Sequence, residues 1–488
     1  MGVITTETRR HGDRRFGGRR EAPARVGLLR RPTRRTGTRQ LGASVSLWFI
    51  LAAATAGAVG LVEAAKDGDA AKVRALIDAK ADVNAAEPDG TTALHWASYR
   101  DDVATADLLI KAGARINAAT DLGVTPLWNA SLNGSEAMVK RLLQAGANPN
   151  AALLLGETPV MVAARAGHAE VVTQLIAKGA DVNARGARQQ TALMWAASQK
   201  HPDVVKVLLA HGADLQARSE VWNEVMAVSP HGYLDYNRAI PHGGDTALMF
   251  AARAGDVASA KLLIAAGAHV DDEDAWGVSA TAMAAHAGLG DLVALFLEHG
   301  ANPNAARAGF SPLHAAIMRR DEAMVRMLLA HGADANFRVT SWTPTRRSSR
   351  DYHFSPELVG ATPFWLAARF GGPAIMRLLV EYGADPWVVH RGDHVVEGRG
   401  GSGFQHRTDV TTALMAAVGM GGGEAWIQPE RAEREALALE AVTLAAELGI
   451  DVNAANLDGR TALDAAKALK YDSVVTFLID KGARAGTK

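Results

Sequence analysis

Apolar positions along this chain follow a helical period and recur in units of about 33 residues. Within a unit, a Thr-Pro-Leu or Thr-Ala-Leu string is followed by small residues, a Gly, and apolar residues spaced three and four apart. The strings begin at Thr92, Thr125, Thr158, Thr191 and Thr246, with altered copies at Ser279, Ser311, Thr362, Thr412 and Thr461. A fixed period of this size predicts a solenoid, in which each two-helix unit buries its apolar face only against its neighbours.

The unit that begins at Thr158 shows how the residues specify the helices. Thr158 can cap the first helix, and Pro159 suits the first helical position because an N–H there has no helical partner. Val171 and Leu175 lie four residues apart on the apolar stripe of a second helix. Gly179 then ends that helix in the left-handed conformation that other residues avoid. The sequence therefore predicts two short helices per unit.

These motifs resemble the ankyrin repeat family. The family pattern Gly-x-Thr-Pro-Leu-His-x-Ala-Ala-x-x-Gly-His, then Val-Val-x-Leu-Leu and Gly-Ala-Asp-x-Asn, is matched from Thr92 to Asn117 and from Ser311 to Asn336. The resemblance covers residues 59–484 and implies an all-α repeat solenoid of about eleven units, in which β-hairpin fingers join antiparallel helix pairs. It also implies that the concave and finger face binds another protein.

The His that follows Thr-Pro-Leu in the family pattern is present here only as His95 and His314. The resemblance implies that this His ties neighbouring repeats through hydrogen bonds. Elsewhere the position is occupied by Trp128, Met161, Met194, Met249, Trp365, Met415 and Asp464. We predict that these Met and Trp side chains form a packed hydrophobic seam between repeats rather than a cofactor site.

Four insertions interrupt the period. Residues 217–243, 338–360 and 387–410 follow the Gly-Ala-Asp segment of their units, so they extend fingers, whereas residues 420–433 separate the two helices of one unit. Three insertions on one edge indicate a specialised binding face. They are rich in aromatic residues, which are enriched in binding hot spots. The alternative is that these rings fold back and pin each loop against the fingers.

Candidate partner-binding residues come from the insertions and from finger-tip and helix-edge positions that the resemblance implies. The insertions supply Trp222, Tyr233, Tyr236, Trp342, Tyr352 and Trp387. The resemblance implies Tyr99, Arg100, Leu132, Asn133, Leu154, Leu155, Arg165, Arg253, Trp276, Phe310, Arg319 and Arg369. Leu154, Leu155, Trp276 and Phe310 are apolar where a turn is ordinarily polar, so we expect them to form an exposed apolar edge.

No catalytic motif of the nucleophile-elbow, zincin or P-loop type occurs in the sequence. Asp393 and His394, near His390 and His406, are a candidate zinc site, but the Gly-rich run beside them does not fix ligands in place. The sequence therefore predicts a non-enzymatic protein without cofactor or metal. The alternative is an enzyme or a metal-dependent binder built from the insertions.

The formal net charge of +0 hides an uneven distribution of charge. Residues 1–56 contain twelve Arg and three acidic residues, so the remaining chain is acidic by about nine charges. An acidic solenoid disfavours nucleic acid as a partner. The absence of Cys excludes disulfides and thiolate metal sites. We expect a monomer whose partner is another protein.

The N-terminal region has the layout of an export signal. Residues 1–40 form an Arg-rich leader, which we expect to be disordered, and residues 41–58 hold a short apolar core followed by small residues. We therefore expect a bacterial protein exported to the periplasm or cell envelope, with the solenoid over residues 59–484 and a tail at 485–488. The alternatives are a membrane anchor over residues 41–62, or a cytoplasmic protein with a misassigned start codon.

Overall fold

A computed structural model describes residues 60–227, 233–343, 352–397 and 403–487. The chain divides into two units, Met1–Ala53 and Ala54–Lys488, and every described residue belongs to the second. The predicted leader and the predicted signal segment lie outside the described residues, and of the alternative membrane anchor only residues 60–62 are described, within the first helical segment. Within the described part, no helix combines the length and the apolar character needed to cross a membrane.

The described residues form eleven successive helix pairs, which confirms the predicted solenoid. Repeat 1 has a helical segment over residues 60–67 and the helix Ala70–Asp78. The first helices of repeats 2–11 are Ala93–Tyr99, Pro126–Asn133, Pro159–Ala166, Ala192–Ser198, Ala247–Ala254, Ala280–Ala287, Pro312–Met318, Pro363–Leu366, Ala413–Ala417 and Ala462–Leu469. Their second helices are Val103–Lys111, Glu136–Gln144, Ala169–Ala177, Pro202–Ala210, Val257–Ala265, Gly290–Glu298, Glu322–Ala330, Pro373–Glu381, Arg431–Glu447 and Asp472–Asp480.

The helix ends follow the sequence pattern at most repeats, and the capping Thr hydroxyl departs from it at Thr158 and Thr246. Thr125 accepts a hydrogen bond from the backbone N–H of Trp128 at 3.2 Å, as a capping Thr should. The same expectation is wrong for Thr158, whose buried hydroxyl makes no capping bond although its backbone has the extended cap conformation. Gly179 has a φ of +87°, in the left-handed region that the sequence predicts.

The core is shared between repeats. First helices pack on the first helices of the neighbouring repeats, and second helices pack on second helices. Met161, Met194 and Met249 are at most 1% exposed, so the predicted hydrophobic seam is present at these positions. Because each repeat covers its neighbour, removing one repeat would expose apolar surface on two others.

Two buried histidines tie neighbouring repeats together. His95 donates from Nε2 to the carbonyl oxygen of Val124 at 2.9 Å, and His314 donates to that of Phe337 at 2.9 Å. In each ring Nδ1 accepts a backbone N–H at the start of its own helix. Burial lowers the pKa of both rings, and that of His314 falls to about 4. Both are therefore neutral at pH 7.

The Asn of the Gly-Ala-Asp-x-Asn segment joins each repeat to the next, and we call this pair of hydrogen bonds the Asn joint. Asn150 donates from Nδ2 to the carbonyl oxygen of Gly179 at 2.8 Å and accepts the backbone N–H of Asp181 at 2.8 Å. The same two bonds are made by Asn84, Asn117, Asn183, Asn304, Asn336 and Asn453. Successive fingers are thus held in register through one position that recurs along the repeats.

Repeat 6 lacks the Asn joint on both sides. Gln216 takes the position between repeats 5 and 6 and makes neither bond within the described residues. Instead, Arg218 donates to the carbonyl oxygens of Gly244 at 2.8 Å and Glu273 at 2.9 Å. Between repeats 6 and 7 the position is Asp271, a carboxylate that accepts a backbone N–H but has no N–H to donate.

Two of the insertions form antiparallel hairpins. In the first insertion, Val221–Ala227 pairs with Asn237–Gly243, and in the third, His390–Glu397 pairs with Phe404–Thr411. An ordinary finger holds at most a single bridge, such as that between Ala86 and Thr92. The two insertions therefore replace short fingers with two-stranded ribbons.

The remaining insertions are irregular. The second contains a 3₁₀ turn at Pro356–Leu358, and the fourth lies between the two helices of repeat 10. Further 3₁₀ turns occur at Ala187–Gln189 and Leu234–Tyr236. The first helix of repeat 9 continues as a π-helical turn over Ala367–Gly371, a widening that often marks functional sites.

Candidate partner-binding surface

Two neighbouring finger tips carry exposed leucines. Leu154 and Leu155 are 73% and 75% exposed, and Leu122 on the preceding finger is 65% exposed. The backbone N–H of Leu154 donates to the carbonyl oxygen of Leu122 at 3.1 Å, so the two tips lie side by side. Leu122 is not among the residues predicted from the sequence, although it carries the same signal, an apolar residue in a turn.

The second insertion folds onto repeats 7 and 8. The ring of Tyr352 lies 4.3 Å from that of His286 and 5.3 Å from that of Phe310, and Phe354 stacks on Phe310 at 4.9 Å. Phe310 is 1% exposed, so the expectation that it belongs to an exposed edge is wrong: these rings cover it. Trp276 is half-buried and meets the edge of Tyr352 at 6.2 Å.

Trp426 of the fourth insertion completes this aromatic cluster. Its ring lies 5.0 Å from that of His286 and 5.3 Å from that of Phe354. Its Nε1 donates to the carbonyl oxygen of His353 at 2.8 Å. Two insertions separated by about 70 residues of sequence therefore interlock over repeats 7 and 8.

The first insertion contacts both the second and the third. Tyr233 meets the edge of Phe404 at 5.4 Å, and its hydroxyl lies 3.2 Å from Nε2 of His406. The guanidinium of Arg238 lies 4.4 Å from the ring centroid of Trp342. Trp342 is only 8% exposed, which fits the alternative in which the insertion rings fold back onto the protein.

Two insertion tryptophans are anchored at the bases of the hairpins. Trp222 stacks on His242 at 5.6 Å, and the guanidinium of Arg188 lies 3.9 Å from its ring centroid. Trp387 takes the Asn-joint position between repeats 9 and 10 and donates from Nε1 to the carbonyl oxygen of Leu448 at 3.0 Å. Trp387 nevertheless remains 64% exposed. It can therefore serve as an anchor and still present its ring to a partner.

The helix-edge candidates of repeats 2 and 3 support the stack. Asn133 donates to the carbonyl oxygen of Tyr99 at 2.7 Å, and Arg100 donates to that of Lys66 at 3.2 Å. Leu132 is half-buried, whereas the ring of Tyr99 is 57% exposed. Tyr99 is thus the member of this set with a free apolar surface.

Three arginines occupy one helix-edge position in repeats 4, 6 and 9. Arg165 pairs with Glu157 at 2.7 Å, and Arg253 pairs with Asp245 at 2.8 Å. Arg369 has no acidic partner among the described residues. The guanidinium charge at this position is therefore neutralised by an acidic residue in repeats 4 and 6, and it has no such partner in repeat 9.

A small ionic cluster lies between repeats 6 and 7. Burial, together with the neighbouring charge of Asp245, raises the pKa of Asp274 to about 6. Burial disfavours the charged form of Arg253, but attraction to Asp245 outweighs it and holds the pKa of Arg253 above its usual value. The cluster is therefore anionic at pH 7 and loses a charge as the pH falls below about 6.

The insertion histidines serve structural contacts. His390 lies 4.3 Å from the ring of Trp365 and contacts the carbonyl oxygen of Glu357 at 2.8 Å through Nε2, and burial lowers its pKa. His406 contacts the hydroxyl of Tyr233. Within the described ranges, no three His, Asp or Glu side chains lie close enough together to hold a metal ion.

The structure brings one group of the predicted residues together and leaves the others apart. Trp276 and Phe310 both contact Tyr352, whereas Tyr233 and Trp342 contact other insertion residues, His406 and Arg238. Arg319 stands apart, because it donates to the carbonyl oxygen of His286 at 2.8 Å. The side chain of Tyr236 lies outside the described part of the chain. Partner binding by all these residues stays a prediction.

Two curated proteins share short stretches with this chain. The human (Homo sapiens) ankyrin repeat and MYND domain-containing protein 1 is 48% identical over 50 residues, which is 10% of this chain and 5% of that protein. The Bos taurus dynein axonemal heavy chain 12 is 41% identical over 93 residues, which is 18% of this chain and 25% of that protein. The chain thus spans a quarter or less of the length of these relatives.

Two sequence profiles cover far more of the chain. The profile described as ankyrin repeats (3 copies) matches residues 61–153, 146–219, 248–339 and 306–390, and the profile described as ankyrin repeats (many copies) matches residues 193–264. Repeats 10 and 11 lie beyond these matches but have the same paired-helix layout. Because the profiles match most of the chain, it belongs to the ankyrin repeat family.

Proposed function

We propose that the chain is a non-enzymatic scaffold that binds a partner protein on the face formed by its finger tips and insertions. Ankyrin repeats mediate protein–protein interaction, and the distribution of exposed apolar side chains supports this face. Of the fifteen large apolar side chains exposed in the described residues, ten lie on fingers or on the insertions that extend them: Leu122, Leu154, Leu155, Val221, Val225, Leu234, Trp387, Val389, Phe404 and Leu457. Apolar surface gathered on one edge is typical of interaction sites.

The contacts among the insertions support the same face. Tyr233 of the first insertion contacts the third, and Trp426 of the fourth contacts the second. A surface held in this way is ordered before a partner arrives, so less conformational entropy is lost on binding. Rigid aromatic and Arg side chains at its edges supply the residue types that dominate binding energy.

Substitution of the exposed leucines tests the proposal. Tagged protein is used to capture the partner from its own host, and the affinity of the identified partner is then measured by titration calorimetry. The double variant Leu154→Glu, Leu155→Glu should weaken binding at least tenfold, because it places charge on the apolar edge. The matched control is Tyr382→Glu, a 42% exposed residue at the C-terminal end of the second helix of repeat 9, outside the finger tips and the insertions. Equal affinity of the double variant and wild type would contradict the proposed face.

We also propose that the protein acts in the bacterial cell envelope. The layout of residues 41–58, with arginines before a short apolar core and small residues after it, supports export. N-terminal sequencing of protein from fractionated host cells should find a mature end near Gly57 or Val59. A membrane fraction that retains residues 41–62 would instead identify a membrane-tethered adaptor, and an unprocessed cytoplasmic protein would contradict both.

A further inference from the structure

One position of the repeat carries an arginine in three repeats, and in one of them the acidic residue that would neutralise it is missing. The position is seven residues after the Thr that begins repeats 4, 6 and 9, and it holds Arg165, Arg253 and Arg369. In repeats 4 and 6 the acid lies eight residues earlier, as Glu157 and Asp245, and pairs with the guanidinium at 2.7 and 2.8 Å. In repeat 9 the residue eight positions earlier is Ala361, which is fully buried.

Arg369 therefore holds a charge in a half-buried site without a counter-charge. Its Nε donates to the carbonyl oxygen of Gly422 at 3.3 Å, and its guanidinium lies 4.7 Å from the ring centroid of Phe370. Burial lowers its pKa, with Tyr471 opposing the change, although an Arg so placed remains protonated at pH 7. A carboxylate would supply the acceptor oxygens that the described residues do not offer.

The guanidinium borders a cleft of about 720 Å³ between the first helices of repeats 9–11 and the fourth insertion. Arg320 and Arg434 also line this cleft. Both are held by neutral oxygens: Arg320 donates to the carbonyl oxygen of Gly371 at 3.4 Å, and Arg434 to Oε1 of Gln428 at 3.3 Å. Three arginines around the cleft are thus available to an anion.

The remaining charged residues of the cleft do not cancel this excess. Arg407 pairs with Asp458 at 3.0 Å and lies 3.9 Å from Asp409. Glu424 and Arg460 are exposed at the cleft margin. The cleft is therefore basic within a solenoid that is acidic as a whole, and its field attracts anionic segments.

We propose that this cleft receives an acidic segment of the partner protein, with an Asp or Glu carboxylate on the guanidinium of Arg369. The chain itself shows that an arginine at this position of the repeat can bind a carboxylate, because Arg165 pairs with Glu157 in repeat 4 and Arg253 pairs with Asp245 in repeat 6. The inference rests on the proposed function, since the segment belongs to the protein that the scaffold binds. Paired hydrogen bonds from Arg to a carboxylate give both strength and orientation.

Fluorescence anisotropy with a labelled hexaglutamate peptide amide tests this site on the full chain. The peptide should bind wild type and weaken as salt is added. Ala361→Asp supplies the missing internal acid and should lower the affinity about tenfold, and Arg369→Gln should lower it by a similar factor. The matched control, Arg141→Gln, should leave it unchanged, because Asp107 already neutralises Arg141.

Further measurements distinguish a peptide carboxylate from a small free carboxylate and check that the variants are folded. Hexaglutamine should not bind, and free glutarate should displace the peptide only weakly; tight glutarate binding would assign the cleft to a small carboxylate and overturn the inference. Because Ala361 is buried, a circular dichroism melt accompanies its variant, and Arg369→Gln gives an independent result. Failure of hexaglutamate to bind wild type, or an unchanged affinity of Arg369→Gln, would also overturn it. The effect of the Leu154 and Leu155 variant on partner capture would then still stand.

Discussion

Repeats 1–5 and repeats 5–10 are held together in different ways. In repeats 1–5 every junction has an Asn joint. In repeats 5–10 three of the five junctions lack one, and Arg218, Trp387 and the aromatic rings of the insertions take over. Where insertions interrupt the period, the Asn joint between neighbouring repeats is replaced by contacts between residues far apart in sequence. The stability of this second region is therefore not a sum of nearest-neighbour terms alone.

The largest effect should come from removing a ring of the aromatic cluster. Phe354→Ala deletes a fully buried side chain that packs on Phe310 and Trp426, so it should destabilise repeats 7–10 by about 3–5 kcal/mol. Urea unfolding followed by hydrogen exchange would locate the loss. The control is Phe404→Ala, a ring of the same size that is 40% exposed, for which a loss below about 1 kcal/mol is expected. Equal small losses for both would show that the second insertion is not a structural element.

Acid should weaken the region around repeat 8 more than repeat 4. The pKa of His314 is about 4 in the folded protein, against about 6.5 when unfolded, so the unfolded chain binds the extra proton between these values. The contribution of neutral His314 to the free energy of unfolding is therefore fully present above pH 6.5, and it falls by up to roughly 3 kcal/mol as the pH drops to 4. Hydrogen exchange across this range measures the slope. His314→Met copies Met161 of repeat 4 and should abolish that contribution; an unchanged slope would contradict it.

A smaller loss is expected when one Asn joint is removed from the regular region. Asn150→Ala deletes a donor and an acceptor at an exposed junction, so urea unfolding should show a loss of about 1–2 kcal/mol. Gln216→Ala is the matched control, because Gln216 makes neither joint bond within the described residues and should lose less than about 0.5 kcal/mol. Similar losses at both positions would remove the distinction between the two regions.

The smallest effect should be a gain. Gln216→Asn places the joint residue where repeat 6 lacks it, and should stabilise the junction by about 0.5–1 kcal/mol. Thermal unfolding of the single variant and of the variant combined with Arg218→Ala would show whether the joint can substitute for Arg218. A loss in place of a gain would mean that the first hairpin sets a different spacing at this junction.

The repeats could be predicted from the sequence because their determinants are local. Gly179 and Pro159 act within a few residues of themselves, and the Met positions bury wherever the period places them. The contact between Tyr233 and His406 joins residues 173 apart in sequence, and no repeating sequence pattern predicts it. For the same reason the burial of Phe310 beneath Tyr352 could not be predicted.

Arg369 shows an intermediate case. From the sequence alone it belongs to one set with Arg165 and Arg253, because the resemblance puts all three at the same helix edge. The difference between them lies at Ala361, a position that gains meaning only when Glu157 and Asp245 are seen to pair with their arginines. Side-chain pairing, rather than the repeat pattern, was the missing information.

The bond between Tyr233 and His406 has a consequence for how this solenoid assembles. The two hairpins can meet only after the intervening repeats have stacked and brought them within reach, so the bond forms late on any route to the native state. Once formed, it turns the stretch between them into a closed ring of contacts. Local unfolding that starts at either terminus then stops at this contact, and the repeats between the two hairpins unfold as one cooperative unit.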